Sequence, residues 1–262
     1  MLASDLKLPL PSTEELPSSD DTPVDNEDQN LLPNLLLLML AHHWSDRMDW
    51  YFGADMAIYH TTGRNPRIPI VPDGFLSIGV PRKKDGKSRR SYATWEENEI
   101  VPILVLEMVS HRYRGEYKEK ATIYKKLGVL YYVIYNPEFF SRHKHEAFEV
   151  YKLVRGRYVR QKSEPCWMPE IGLGIGRSQQ VIGGIEQEIL TWYNEDGIAY
   201  ETPENVMEEM KAQVRLQREQ MREQLEQMRE QQAALDAEHE RAERLAAYLR
   251  SQGIDPDNLP GL

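Results

Sequence analysis

Short apolar runs separated by turn-forming residues dominate the chain between Leu31 and Tyr193. These runs are rich in β-branched and aromatic residues, which is typical of buried strands. The nearly continuous apolar run from Ile103 to Val109 fits a strand that is buried on both faces. Arg114 to Leu127 follows with helical spacing, and Leu130 to Tyr135 is a further apolar run. The order of strand, helix and strand predicts an α/β fold, in which a crossover helix joins neighbouring strands of a mixed central sheet.

The pattern changes after about Pro203, where apolar residues recur at intervals of seven. These residues are Met207, Val214, Met221, Met228, Leu235, Ala242 and Leu249. The spacing predicts a long helix or coiled coil over residues 203–252, followed by a short tail over 253–262. The second position of the seam is apolar only at Met210 and Leu245. A weakly paired homodimer and a single solvated helix that folds back on the domain therefore remain as alternatives.

Charge divides the chain into three parts. Residues 1–30 hold eight acids and one lysine, and residues 201–262 hold fourteen acids and eight bases, whereas residues 31–200 hold twenty acids and twenty-three bases. Residues 1–28, which are also rich in Pro and Ser, are predicted to be a disordered acidic leader. A mildly basic domain over 30–200 is compatible with a polyanionic substrate.

Cysteine content and hydropathy indicate the setting of the protein. The single cysteine, Cys166, cannot form an internal disulfide, and no apolar run reaches the roughly 18–20 residues that a membrane-spanning helix needs. We also find no pattern of a cleavable export signal at the N-terminus. The sequence therefore predicts a cytoplasmic protein without a membrane partner.

Glu107 is the first candidate functional residue, because it is the one charged residue inside the apolar run 103–109. A buried carboxylate is costly unless a base, hydrogen-bond donors or a metal ion compensates it. A structural salt bridge would satisfy this requirement, and so would a ligand or catalytic role.

Asp73 and Lys120 are candidates whose local patterns are less specific. Asp73 follows Pro72 and precedes Gly74, so it would serve equally well as a turn residue. Lys120 lies four residues after Glu116, a spacing that also occurs in exposed helical ion pairs. Together with Glu107, however, these residues supply two oxygen ligands of the kind that Mg²⁺ prefers and one ammonium that can orient water.

The motifs that surround these residues resemble a known family. They are Pro-Asp-Gly-Phe-Leu at 72–76, Leu-Glu-Met-Val-Ser at 106–110, Glu-x-x-x-Lys-x-x-x-Tyr-x-x-x-Gly-Val at 116–129, and an aromatic strand that ends in Asn136-Pro137. This pattern, over about residues 30–195, resembles the Uma-type family of restriction-endonuclease-like proteins in the PD-(D/E)XK nuclease superfamily. The resemblance implies a restriction-endonuclease-like fold, with a mixed central sheet flanked by helices.

The resemblance also implies a mechanism. Asp73 and Glu107 would bind Mg²⁺, or Mn²⁺ in its place, with the backbone carbonyl of Met108 as a further ligand, and Lys120 would assist the attacking water. The usual lysine of the superfamily lies two residues after the acid, where this chain has Val109. In the Uma-type pattern the lysine lies on the following helix, as Lys120 does.

These residues predict a Mg²⁺-dependent endonuclease that hydrolyses DNA phosphodiester bonds. Basic residues near the two acidic strands are candidates for phosphate contacts, although they would also be ordinary for a solvated surface. They are Lys83, Lys84, Lys87, Arg112 and Arg114. The alternative is a catalytically inactive nuclease fold that acts as an interaction module, assembled through its C-terminal coiled coil.

Overall fold

The computed structural model of the protein describes residues 10–17, 26–63, 65–109, 115–143, 145–253 and 255–256. The chain forms two compact units, of which the first ends at Asn205 and the second begins at Val206. The first unit holds the predicted α/β domain, and the second consists of most of the long helix that the heptad spacing predicts.

A six-stranded mixed sheet forms the centre of the domain, with strand order β1-β3-β5-β6-β7-β8. Its strands are β1 (Trp50–Ala54), β3 (Gly74–Ile78), β5 (Leu104–Met108), β6 (Tyr131–Tyr135), β7 (Phe148–Val154) and β8 (Arg157–Gln161). β5 and β6 are parallel, and the other neighbouring pairs are antiparallel. A parallel pair needs a crossover connection, and the segment between β5 and β6 supplies the short helix α2 (Ala121–Leu127). The predicted α/β class with a mixed central sheet is confirmed.

Every residue of β5 and of β6 is buried, as their continuous apolar sequences predict. One face of the sheet packs against α1 (Glu27–His43), whose residues Leu32, Leu36, Met39 and Leu40 belong to the same core as Leu104 and Leu106. The opposite face packs against α2 through Tyr124 and Leu127. The helices therefore lie on both faces. Glu107 on β5 and Lys120, directly before α2, lie in a well-packed part of the domain.

Smaller elements complete the domain. A three-stranded sheet contains β9 (Cys166–Met168), β10 (Leu173–Ile182) and β11 (Ile185–Tyr193), and a pair of short parallel strands contains β2 (Ile58–Tyr59) and β4 (Tyr92–Ala93). A single turn of helix, α3 (Phe140–His143), follows β6. The indole N–H of Trp192 on β11 donates to the carbonyl of Leu36 at 2.9 Å, which joins this sheet to α1.

Part of the predicted disordered leader is packed onto the domain. Leu16 is 3% exposed and lies in a small apolar cluster with Tyr59. The hydroxyl of Tyr59 donates to the carbonyl of Pro17 at 2.7 Å, and Thr13 donates to Glu96 through both its N–H and its hydroxyl. The prediction of disorder is wrong for residues 10–17, because one buried leucine and these hydrogen bonds compensate the polar composition. The helix α1 also begins at Glu27, inside the predicted leader.

The helix α4 (Pro203–Ser251) has 49 residues, close to the predicted range 203–252. None of its residues is buried. Met221 and Met228 of the predicted seam are 59% and 63% exposed. In the described part of the chain, no helix is both long and apolar enough to cross a bilayer.

Candidate active site at the end of strand β5

The pairing of β3 with β5 brings Asp73 and Glu107 together. Gly74 is the register partner of Leu106, and one further step along both antiparallel strands places Asp73 opposite Glu107. The Asp73 carboxylate accepts a hydrogen bond from the N–H of Met108 at 2.6 Å. The two acids that the sequence singled out are therefore neighbours at one edge of the paired strands, although 34 positions separate them in the chain.

Glu107 is 1% exposed, as the apolar run predicts, and both of its carboxylate oxygens have partners. The Lys120 ammonium lies 2.7 Å from Oε2, and the hydroxyl of Tyr124 donates to Oε1 at 2.5 Å. Lys120 also donates to the carbonyl of Val71 at 3.3 Å, two residues before Asp73. Lys120 thus reaches Glu107 on β5. The alternative from the sequence was an exposed ion pair between Lys120 and Glu116 on one helix.

A π-helical turn over Glu116–Lys120 precedes α2 and explains how several polar residues share one face. The N–H of Lys120 bonds to the carbonyl of Gly115 at 3.0 Å, five residues earlier. Residues four apart lie on the same side of a helix, and π-turns inside helices are frequent at functional sites. Glu116, which is 2% exposed, and Lys120 consequently face the same side as Tyr124.

Gly115, which precedes this turn, has a φ of 86° and cannot be replaced without strain. A Cβ at this position would lie 2.7 Å from a side-chain oxygen of Glu119. The start of this helical segment is therefore fixed by a residue that no functional pattern in the sequence indicated.

The electrostatics of this cluster show a shortage of positive charge. Burial raises the pKa of Glu107 to about 8. Lys120 acts to lower this pKa, and the nearby Asp73 charge acts to raise it. Burial also raises the pKa of Asp73 to about 6, against the lowering effects of the Met108 N–H and Lys120. Burial opposes the charged form of Lys120, but Glu107, Asp73 and Glu116 together raise its pKa above the ordinary value. One ammonium is thus shared among several acids, and a bound cation would relieve their repulsion.

The donor set fits a hard divalent cation. Among the described residues, no three His, Cys, Asp or Glu side chains form a group that could hold a metal ion. Asp73 and Glu107 supply two carboxylates. The N–H of Met108 points towards Asp73, and the N–H and C=O of one strand residue point to the same side, so the Met108 carbonyl also lies on the side of Asp73. The side chain of Gln29 on α1 donates to this carbonyl at 3.3 Å. Two carboxylates with a carbonyl oxygen form an all-oxygen set, which suits Mg²⁺ or Mn²⁺.

Two contacts in this cluster were missed from the sequence. Tyr124 lies four residues after Lys120, and that spacing on one helix face was a usable signal for its contact with Glu107. Gln29 had no such signal, because its contact with Met108 joins residues that lie 79 positions apart.

The predicted phosphate-contacting residues have different surroundings. Lys84 pairs with Glu96 at 2.6 Å, and Lys83 donates to Ser88 at 2.8 Å. Lys83 and Lys87 are exposed. Arg112 and Arg114 lie outside the described residues. The assignment of phosphate contacts to these five residues stays a prediction.

The chain is similar to a known protein family. A model of the Uma2 family, described as "Putative restriction endonuclease", matches residues 20–179. The chain belongs to the Uma2 family. This membership, which covers the site, supports nuclease function as a general class. No curated protein sequence matches the chain.

A search of solved structures gave a match to a crystal structure described as "a putative nuclease belonging to DUF820 from Anabaena variabilis ATCC 29413". The TM-score is 0.40 and the sequence identity is 12%, and the match covers 56% of this chain and 74% of that chain.

Proposed function

We propose that this Uma2 protein is a Mg²⁺-dependent endonuclease that hydrolyses phosphodiester bonds in DNA. The observation that carries this proposal is the meeting of Asp73, Glu107 and Lys120, with Lys120 2.7 Å from a carboxylate that is 1% exposed. The raised pKa values of both acids support it further, since perturbed acids beside a lysine are typical of catalytic sites. Family membership is consistent with this reaction class.

Each residue has a separate role in this proposal. Asp73, Glu107 and the Met108 carbonyl would hold the cation, which when bound lowers the pKa of water and polarises the phosphate. Lys120 would orient the attacking water and stabilise negative charge that develops on the phosphate. Tyr124 would fix the Glu107 carboxylate through its hydrogen bond to Oε1. Gln29 would orient the Met108 carbonyl in the same manner.

The first test is cleavage of supercoiled plasmid and of labelled oligonucleotides. We expect the wild-type protein to cut DNA with Mg²⁺ or Mn²⁺ and to stop when EDTA is added. Asp73→Asn should cut at least about tenfold more slowly, because it removes one charged ligand. Asp85→Asn is the matched control, because Asp85 is exposed and its φ of 49° suits asparagine. Equal cutting by wild type and Asp73→Asn would contradict the proposed site, and absence of metal-dependent cutting would contradict the function.

The alternative function is an inactive nuclease fold that serves as an interaction module. The observation in its favour is that both oxygens of Glu107 already have protein partners, Lys120 and Tyr124. Calorimetry separates the two functions. Binding of Mg²⁺ or Mn²⁺ that is lost in Asp73→Asn supports the enzyme, whereas no binding by the folded wild type supports the module.

We also propose that α4 forms a coiled coil with a second copy of the chain. Its seven-residue apolar spacing is continuous from Met207 to Leu249, and none of its residues is buried within one chain. Met221 and Met228 are both about three-fifths exposed, which is unusual for large apolar residues that recur on one face.

The double substitution of Met221 and Met228 by lysine is expected to convert a dimer into a monomer in light-scattering measurements. Each lysine would place a charge in the seam, where apolar contacts hold the two helices together. Ala212 and Ala233, at the outward heptad position, provide a control with the same change in charge, and their replacement by lysine should leave the dimer intact. A monomeric wild type, or a dimer that survives both double substitutions, would contradict the paired tail.

A further inference from the structure

A cavity of about 200 Å³ lies between α2 and the loop that leads from β2 towards β3. Its lining includes His60, Asn65, Ile68, Ile70, Ile123 and Lys126. It is mainly apolar, with a small number of polar groups and one cation, which is the usual composition of a site for a small ligand. Neither the family match nor the proposed metal site assigns a role to it.

The cavity adjoins the proposed active site through two backbone connections. Ile70 precedes Val71, whose carbonyl accepts the hydrogen bond from Lys120. On α2, Ile123 follows Lys120 by three residues, a rise of about 4.5 Å along a helix axis. A DNA strand that presents its phosphate to Lys120 would therefore place a neighbouring nucleotide beside the cavity.

The polar groups of the cavity can both donate and accept hydrogen bonds. His60 is 6% exposed, and burial lowers the pKa of its imidazole, so the ring is neutral at pH 7 and has one donor and one acceptor nitrogen. Its Nδ1 lies 2.8 Å from the hydroxyl of Thr62. The amide oxygen of Asn65 accepts from the N–H of Arg67 at 2.9 Å, and its amide NH₂ group adds a donor. A heterocyclic base has the same mixture of donors and acceptors around an apolar face.

The size and rim of the cavity limit the ligand further. Its volume of about 200 Å³ lies below the roughly 300–1,000 Å³ of pockets for drug-sized ligands, so it suits one planar heterocycle better than a whole nucleotide. Ile68 is 64% exposed and offers an apolar surface at the rim. Lys126 supplies a positive charge for the adjoining backbone phosphate.

We propose that this cavity receives one unstacked nucleobase of the strand that is cut, and that the protein therefore prefers single-stranded or locally unpaired DNA. This inference rests on the proposed nuclease function, and it specifies the substrate class of that site. A base inside a duplex cannot enter such a cavity without being extruded, which costs a few kcal/mol and favours DNA that is already unpaired.

The experiment measures binding of oligonucleotides that contain 2-aminopurine, whose fluorescence increases when the base is unstacked. EDTA is present, so that no strand is cut. We expect the wild type to bind single strands on the order of tenfold more tightly than duplex of the same sequence, with a rise in fluorescence. Ile123→Phe, which fills the cavity, should weaken single-strand binding by about tenfold and abolish the fluorescence rise. Thr122→Phe, at the neighbouring exposed position of α2, is the matched control and should behave as wild type.

A second variant protects the test against misfolding of Ile123→Phe. Ile68→Ser changes an exposed rim residue. Because it removes apolar contact area, it should weaken single-strand binding by about threefold, without lowering the melting temperature. Equal affinity for single strand and duplex, or wild-type binding by both cavity variants, would overturn the inference.

The inference and the proposed function fail in different ways. A protein that cuts DNA, but whose binding ignores both cavity variants, retains the function and loses the base site. A protein that binds unpaired bases through Ile123 and never cuts DNA with any divalent metal loses the function and retains the cavity.

Discussion

Replacing Glu107 with glutamine is expected to abolish measurable metal binding and to slow DNA cleavage by about 10²-fold or more. Loss of residues that only support a metal ligand typically costs 10–100-fold, so loss of a charged ligand should cost at least as much. The amide is close in size to the carboxyl group and can still accept the hydrogen bond from Tyr124, so we expect the fold to persist. Calorimetry with Mn²⁺, single-turnover cleavage and thermal unfolding would measure the three effects.

The matched control for this substitution is Glu149→Gln. Glu149 is another buried glutamate, 4% exposed, on strand β7, which β6 separates from the Glu107 strand, and it pairs with His145 and Arg160. Its replacement tests the loss of a buried carboxylate that has no part in the proposed site. Equal loss of cleavage in both variants would indicate damage to the fold, and unchanged cleavage in Glu107→Gln would remove the basis of the mechanism.

Replacing Lys120 with methionine is expected to separate catalysis from metal binding. Cleavage should fall by about 10²–10³-fold, the range found when one group that stabilises developing negative charge is removed. Metal affinity should stay equal or rise, because Lys120 lies 2.7 Å from the Glu107 carboxylate and competes with the cation for its charge. Methionine fills similar space with an apolar chain, so we expect the fold to persist.

Lys118→Met is the control for this second substitution. Lys118 is exposed on the same π-turn, two residues before Lys120, so the change in charge is the same. We expect wild-type cleavage and metal binding from it. Parallel measurement of cleavage rate and of Mn²⁺ affinity decides the result: loss of both properties in Lys120→Met would show that the lysine is structural.

In the proposed site, the lysine comes from the helical segment instead of the strand. The usual position of the superfamily, two residues after the acid, is Val109 in this chain, and Val109 is buried in the apolar cluster beneath α2. Lys120 reaches Glu107 from the crossover segment instead, with its ammonium held between Glu107 and the Val71 carbonyl. The long flexible side chain allows the charge to reach the strand from this different backbone position.

The sequence supported some features of the site better than others. Burial of Glu107 was predictable from its apolar neighbours alone, since a nearly continuous apolar run is typical of a strand buried on both faces. Packing of residues 10–17 was not predictable, because it depends on one leucine and on hydrogen bonds to residues such as Glu96 and Tyr59 far along the chain. The composition of a segment indicates only its average tendency towards order or disorder, and it does not reveal contacts with distant residues.

The sequence by itself determined the local elements, namely the buried strands β5 and β6, the crossover helix and the long heptad helix α4, together with the family resemblance. Only the tertiary structure decided that Asp73 lies opposite Glu107, that Lys120 pairs with Glu107, and that Gln29 reaches Met108. The physical reason is the range of the interactions. The pattern of apolar residues along an element indicates which of its faces is buried. Contacts between distant residues depend instead on strand register and helix packing, which the whole fold determines.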